Sequence, residues 1–184
     1  ENFIFEPEMR DVGPAVGLAM AKIAGEYPNT PTAIIWSDHF VKKERRFREV
    51  LTFAETLVEK NPKSIIFIGQ RARFANQNLG WIEFGDITGS IRGTKIFQFK
   101  RLIYRPSKSE AEKFLNSPSF AWNPGYFVTT PSFVLDQFKK FTPEIWKGLN
   151  EIQKSVGRVT FTPTLEKIYP TFEKISFDNA ILEK

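Results

Sequence analysis

Three short apolar runs, Phe3-Ile4-Phe5, Thr32-Ala33-Ile34-Ile35-Trp36-Ser37 and Ser64-Ile65-Ile66-Phe67-Ile68, are separated by two stretches of helical period. Near-continuous apolar runs of that length mark strands buried on both faces, whereas half-exposed strands alternate apolar and polar residues. The first spacer, Pro14 to Gly25, reads as a helix with Pro14 near its first turn, where a missing N–H does no harm. The second, Phe40 to Lys60, puts Phe47, Val50, Leu51, Ala54, Leu57 and Val58 on one stripe. Strand–helix–strand–helix–strand predicts an α/β fold with a mixed, mainly parallel sheet covered by helices on both faces.

The middle run stops at Asp38-His39, where the predicted strand hands over to the helix. In open α/β sheets, ligands bind outside the carboxyl ends of the strands. A carboxylate there can hold a hard divalent cation against a phosphate. Asp is also common as a plain turn or helix-entry residue, and both readings stand at this point. Ser37, Asp38 and His39 are consecutive and cannot face one another as a catalytic triad; His39 reads as a packing or hydrogen-bonding residue rather than a base.

The second half is more mixed. Trp81 to Ile87 and Lys95 to Tyr104 alternate, as an antiparallel pair would, with Gly85, Gly89 and Gly93 supplying turns. Ser107-Lys108-Ser109-Glu110 is a capping box that opens a helix through Leu115. Gly125 to Thr129 reads as a short strand. Thr130-Pro131, Thr142-Pro143 and Thr162-Pro163 each put a cap residue before a first-turn proline and predict three further helices.

At 184 residues, a single domain spanning 1–184 is expected, large enough to bury a core without staples. With no cysteine there are no disulfides, zinc–thiolate sites or thiol nucleophiles, and one histidine excludes two-His metal sites. The absence of a membrane-spanning run and of a signal peptide predicts a cytoplasmic protein without membrane contact. The net charge of +5 is spread and interrupted by acids, which suits phosphorylated small molecules and argues against nucleic acid. The chain starts at Glu1 without an initiator Met and ends within a helical run, so both ends read as cut and the domain as partial.

Six small, polar or Gly-containing segments fall at element edges: Glu6 to Pro14, Ser37-Asp38-His39, Gly80 to Glu83, Tyr104-Arg105-Pro106, Trp122 to Phe127 and Ser176 to Ala180. Singly each is weak. Together, in this order, the sequence resembles the mannose-1-phosphate guanylyltransferases of the sugar-nucleotidyltransferase superfamily. The family's Glu-Pro-x-x-Arg-Asn-Thr-Ala-Pro-Ala is matched by Glu6 to Ala15, keeping Glu6, Pro7, Arg10, Pro14 and Ala15. Its small-residue-Asp-His is Ser37-Asp38-His39, and its Thr-Gly-Tyr-Gly-Tyr-Ile-Glu falls in register on Gln77 to Glu83. Phe-x-Glu-Lys-Pro corresponds to Leu102 to Pro106, Trp-Asn-Ser-Gly-Met-Phe to Trp122 to Phe127, and Ser-Ile-Asp-Tyr-Ala-x-x-Glu-Lys to Ser176 to Lys184.

The resemblance implies a Rossmann-like nucleotide-diphospho-sugar transferase fold, N-terminally truncated. It also implies guanylyl transfer from GTP to mannose 1-phosphate, giving GDP-mannose and pyrophosphate. Such catalysis is alignment plus charge neutralisation. By carry-over, Asp38 is a ligand of Mg²⁺, and Glu83 and Asn123 bond mannose hydroxyls. Gly80 admits the sugar, Arg105 holds the sugar phosphate in place of the family's Lys, and Arg10, Gly13 and Pro14 border the nucleotide. No residue is assigned to covalent or acid–base chemistry, and homo-oligomerisation is left open. The family's Gly-x-Gly-Thr-Arg loop precedes the segment at which this chain starts, and its second metal-binding Asp lies beyond Lys184. Tyr104 stands for the family's sugar-binding Glu, Asn78 for a Gly, Val12 for a Thr and Asp11 for an Asn. Negligible turnover by these 184 residues alone is therefore expected. The departures also raise an alternative, a degenerate, non-catalytic sugar-phosphate or nucleotide-binding module.

Overall fold

The computed structural model describes residues 3–184. In chain order its elements are α1 (Val12–Ala24), β1 (Thr32–Ile34), α2 (Glu44–Lys60), β2 (Ile66–Phe67), β3 (Gly80–Ile91), β4 (Thr94–Ile103), α3 (Lys108–Leu115), β5 (Phe120–Asn123), β6 (Phe127–Thr129), α4 (Pro131–Phe141), α5 (Pro143–Ser155) and α6 (Phe161–Ile168). A 3₁₀ turn at Tyr169–Thr171 and a π-helical turn at Asp178–Leu182 follow. The backbone divides into two compact units. One takes in the chain up to Pro31 with Thr130–Leu182 and Lys184, the other Thr32–Thr129 with Glu183.

The Thr32–Thr129 unit holds two three-stranded sheets, ordered β1-β6-β2 and β4-β3-β5. Every ladder among the described residues is antiparallel, which corrects the expected mainly parallel sheet. β1 and β2 do share a direction, as the strand–helix–strand pattern requires. They are not neighbours, because β6 lies between them and runs opposite to both, pairing Ala33↔Val128 on one side and Ile66↔Val128 on the other. β6 is buried along its whole length, so the central place of the sheet is the one that suits it. Periodicity near β1 and β2 carries no information about a later segment that inserts between them.

α2 packs on this sheet through the stripe expected from the sequence: Ala54 and Val58 meet Val128, with Leu51 and Ile66 alongside. The second sheet centres on Trp81, Trp122 and Ala111, flanked by Phe114 and Phe120. The indole N–H of Trp81 donates to the carbonyl of Asn76 at 2.8 Å. The expected β3–β4 hairpin forms, with Trp81 opposite Ile103 and Ile91 opposite Thr94, but Gly85 and Gly89, expected in turns, lie inside β3 where its register shifts, and Gly93 alone of the three falls in the turn.

In the other unit α1 packs against α4 and α5. Their close approach needs Gly17, where a Cβ would come within 2.6 Å of Leu149 Cδ1. Thr130 caps α4 by accepting from the Phe133 amide, ahead of Pro131. α6 starts at Phe161, so the expected Thr162-Pro163 start falls within its first turn. The expected strand at Phe3–Phe5 is also corrected: these residues form no ladder among the described residues, and Phe3 and Phe5 are exposed. No helix of the described residues is long and apolar enough to cross a membrane.

The capping box at α3 is complete. Ser107 Oγ accepts from the Glu110 amide at 3.3 Å, and Glu110 Oε2 accepts from the Ser107 amide at 2.9 Å. The Ser107 hydroxyl and amide hold the Glu110 carboxyl below the usual carboxylate range. A depressed acid stabilises the fold above its unfolded pKa and ceases to as pH falls through the folded one. Ser107→Ala is therefore expected to lower the melting temperature at pH 7 and to lower it less below pH ~4, the ordinary range of Glu. Thermal melts by circular dichroism at both pH values check this; an equal loss at both would contradict the box.

Candidate functional site

Four of the segments singled out above bear on one end of the β4-β3-β5 sheet. β5 ends at Asn123, opposite Gly80, the first residue of β3. An added Cβ on Gly80 would sit 3.4 Å from Asn123 Cβ, in van der Waals contact, so the glycine keeps this corner more open than any larger residue would. On the other side of β3, Ile103 pairs with Trp81, so Tyr104 and Arg105 leave β4 level with Gly80. Arg105 turns at φ 47°, with its guanidinium 5.1 Å above the Tyr104 ring. The Tyr104 amide donates to Glu183 Oε1 at 3.0 Å.

Asn123 is buried, and its Oδ1 accepts from the Gly125 amide at 3.0 Å, which closes a tight Asn123-Pro124-Gly125 turn. Gly125 takes φ +82°, and a Cβ there would fall 2.2 Å from Trp36 Nε1. The Asp38-His39 segment lies against the same turn. His39 Nδ1 is 2.6 Å from the Tyr126 hydroxyl, with the rings edge-on at 5.3 Å. Burial, and next the negative charge of Asp38, push the Tyr126 phenol above its ordinary pKa. Gly80, Asn123 and Asp38-His39 thus meet around one turn, and Arg105 leaves the sheet at the same end.

Glu83 is placed differently. It lies three residues into β3, on the opposite pleat from Gly80, and its carboxylate is held by Arg101 Nε at 2.6 Å. The structure does not bring it to the Asn123 corner.

Arg10, Gly13 and Pro14 belong to the other unit. Asp11, at φ 66°, caps α1 by accepting from the Val12 amide at 2.7 Å. The Gly13 amide donates to the Ile175 carbonyl at 2.9 Å, so that donor is already spent within the fold. A Cβ on Gly13 would meet the same carbonyl oxygen at 2.5 Å, and Pro14 is buried in the first helical turn. Arg10 pairs with Glu8 at 2.5 Å, while its buried Nε makes no hydrogen bond among the described residues. Nearby, the Tyr169 hydroxyl donates to Glu6, and burial followed by that contact raises the Tyr169 phenol pKa.

No group of three or more His, Cys, Asp or Glu gathers among the described residues. An all-protein metal cage is absent there. A lone exposed carboxylate such as Asp38 suits an ion that keeps its waters and is completed by substrate phosphates, as Mg²⁺ does.

Sequence reasoning placed Asp38, Gly80, Asn123 and Arg105 at element edges but missed what fixes them. The Tyr126–His39 bond and the seating of Gly125 on Trp36 are contacts between residues more than eighty positions apart. The available signal was a glycine-tyrosine pair directly after Asn-Pro, together with a single histidine beside the acid.

Residues 1–162 match the Nucleotidyl transferase family. Over the whole chain the sequence is 24% identical to Mannose-1-phosphate guanylyltransferase 2 of Escherichia coli O157:H7, of which it covers 39%. Over 98% of the chain it is 24% identical to the xanthan biosynthesis protein XanB of Xanthomonas campestris (strain B100), covering 37% of that protein. The chain thus spans about two-fifths of the length of these relatives. Among solved structures, it superposes on one described as a mannose-1-phosphate geranyltransferase from Thermus thermophilus with a TM-score of 0.83. The identity there is 24%, covering 98% of this chain and 49% of that one. A second, described as a mannose-6-phosphate isomerase from Helicobacter pylori, gives a TM-score of 0.74 at 24% identity, covering 95% of this chain and 65% of that one. The fold is therefore α/β of the kind these structures share. With the family match extending over most of its length, the chain belongs to the nucleotidyl transferase family.

Proposed function

We propose that the chain supplies the hexose-phosphate side of a guanylyl-transfer site. In the reaction, a phosphate oxygen of mannose 1-phosphate attacks the α-phosphorus of GTP. The bond from that phosphorus to the bridging oxygen of the β-phosphate breaks, pyrophosphate leaves, and GDP-mannose forms. The observation that carries this reading is the corner where Gly80 faces Asn123 and the Asp38-His39 segment packs on the Asn123–Tyr126 turn. The names of the relatives, mannose-1-phosphate guanylyltransferases, support the substrate pair.

Each residue has a physical task. The Asn123 side-chain amide has its oxygen committed to the turn, leaving the nitrogen to donate to a sugar hydroxyl. Gly80 lets the sugar ring approach the strand backbone. Arg105 offers a planar, permanently charged fork to the sugar phosphate. Glu83 is bound by Arg101 through Oε2, which leaves Oε1 free to accept from a hydroxyl. Arg10, paired with Glu8, keeps an unspent Nε–H and would border the nucleotide, whereas Gly13 and Pro14 shape the start of α1. Asp38 would hold Mg²⁺, which when bound neutralises phosphate charge. Orientation and charge matching, not proton transfer, are the work of these side chains.

Titration calorimetry with mannose 1-phosphate in magnesium buffer tests the reading. Saturable binding is expected, weakened at least tenfold by Arg105→Ala or Asn123→Ala and unchanged by Arg48→Ala on the exposed side of α2. Absence of binding, or equal affinities across the set, would refute it. Mass spectrometry of GTP mixtures then separates transfer from binding alone: GDP-mannose marks an enzyme, and bound sugar phosphate without product marks a non-catalytic module.

A further inference from the structure

The chain's single histidine stands beside Asp38 with one ring nitrogen already spent: His39 Nδ1 lies 2.6 Å from the Tyr126 hydroxyl. Tyr126 is fixed from several sides. Its backbone carbonyl accepts from the Ile68 amide at 3.0 Å, and the Phe47 ring of α2 packs on its ring at 5.1 Å. Gly125, the residue before it, is seated on Trp36.

The hydrogen between the two rings can belong to either partner, and burial decides which. Tyr126 is 7% exposed, whereas His39 is exposed. If His39 Nδ1 donated, the phenol O–H would have no acceptor among the described residues, and a buried donor would go unmet. If Tyr126 donates, the phenol is satisfied and the imidazole hydrogen moves to Nε2, where water or a ligand can meet it. The raised pKa of the Tyr126 phenol agrees, because it keeps the hydroxyl a neutral donor. The bond made by one imidazole nitrogen sets the form of the other. His39 Nε2–H is then the one polar group of the ring left for a ligand. Beside it, the Asp38 carboxylate can only accept or take a cation. A carboxylate followed directly by an N–H donor suits a ligand that brings a cation and anionic oxygens together, as a metal-bound phosphate does. A bare anion would be repelled by Asp38, and a sugar hydroxyl brings no cation.

We propose that Tyr126 fixes His39 as the Nε2–H tautomer and that this N–H donates to an oxygen of a phosphate bound beside Asp38. The proposal rests on the guanylyl-transfer reading and adds two residues to it. His39 touches the phosphate, and Tyr126 acts through His39 as a positioning residue.

With one histidine, imidazole nitrogen NMR of the 184-residue chain reads the tautomer from a single ring. At about pH 8.5, above the ordinary range of an imidazole, the wild type is expected to carry its hydrogen on Nε2. Tyr126→Phe is expected to show a larger share of the Nδ1–H form with unchanged circular dichroism. Mannose 1-phosphate and GTP are then added separately, each with magnesium. The arm that moves the Nε2–H proton downfield identifies whose phosphate is bound, and mannose with magnesium is expected to leave the signal in place. By calorimetry, affinity for that ligand is expected to fall about tenfold in His39→Ala and about threefold in Tyr126→Phe, and to be largely restored in His39→Gln, whose amide can donate. An Nδ1–H tautomer in the wild type, or a tautomer indifferent to Tyr126→Phe, overturns the proposal. Binding of either phosphate with the Nε2–H signal unmoved, or a shift with mannose alone, overturns the donor role and spares the guanylyl-transfer reading. Binding of neither ligand overturns both.

Discussion

Trp81→Ala is expected to destabilise the Thr32–Thr129 unit by about 3–5 kcal/mol, the range for removing a buried large aromatic side chain. Trp81 is fully buried and lies in the middle strand of the β4-β3-β5 sheet, opposite Ile103 on one side and Trp122 on the other. Its ring meets Phe114 at 5.6 Å and Trp122 edge-on at 6.3 Å. Truncation leaves a void among rings that cannot collapse without moving both neighbouring strands, and it strands the Asn76 carbonyl that accepts the indole N–H. Trp81→Phe keeps most of the apolar volume and loses only the donor, so about 1–2 kcal/mol is expected from the unmet carbonyl. Urea unfolding followed by far-ultraviolet circular dichroism measures both. A loss below ~1 kcal/mol for the alanine variant would contradict this packing. Because Trp81 adjoins Gly80, the alanine variant is also expected to weaken sugar-phosphate binding, whereas Trp81→Phe spares it.

The ordering of these effects reflects what local sequence could carry. The capping box at Ser107-Glu110, the Thr130-Pro131 start of α4 and the β3–β4 hairpin are set by neighbours within a few residues, and each forms where the residues predict it. The α2 stripe is likewise local, and Ala54 and Val58 are its buried members. Strand neighbours are another matter. An apolar run such as Ile65 to Ile68 states that it is buried, not which strand lies beside it. β6, about sixty residues downstream, took the place expected of a parallel partner. Phe3–Phe5 shows the converse: β propensity and a continuous apolar run are present, but the described residues offer the segment no ladder. At the site, spacing along the chain located Gly80, Asn123 and Asp38 at element edges, because glycine, asparagine and aspartate suit turns and strand ends. The lock that holds them together, Tyr126 on His39 and Gly125 on Trp36, joins segments that no periodicity connects.

Gly125 tests that lock most sharply, because the β3–β4 hairpin contains a matched control. Gly93 and Gly125 take nearly the same left-handed conformation, φ +79° and φ +82°. A Cβ on Gly93 meets nothing within 4 Å, so Gly93→Ala is expected to cost only the backbone strain, about 1–2 kcal/mol. A Cβ on Gly125 would lie 2.2 Å from Trp36 Nε1, 3.1 Å from Cε2 and 3.2 Å from Cδ1, so the same substitution must also drive the indole aside. Forcing an extra methyl into a packed site adds about 1–3 kcal/mol, which puts Gly125→Ala near 2–5 kcal/mol. Two residues after Trp36 stands Asp38, and the amide of Gly125 is the donor that fixes the Asn123 side chain. Displacing the turn therefore disturbs the proposed metal ligand and the proposed sugar donor together. Mannose 1-phosphate affinity is expected to fall at least tenfold in Gly125→Ala and to stay unchanged in Gly93→Ala, measured by calorimetry well below both melting temperatures. Equal stability losses for the two alanines would mean that Trp36 does not pack on the turn. Equal affinities with unequal stabilities would leave the packing intact and remove the turn from the ligand site.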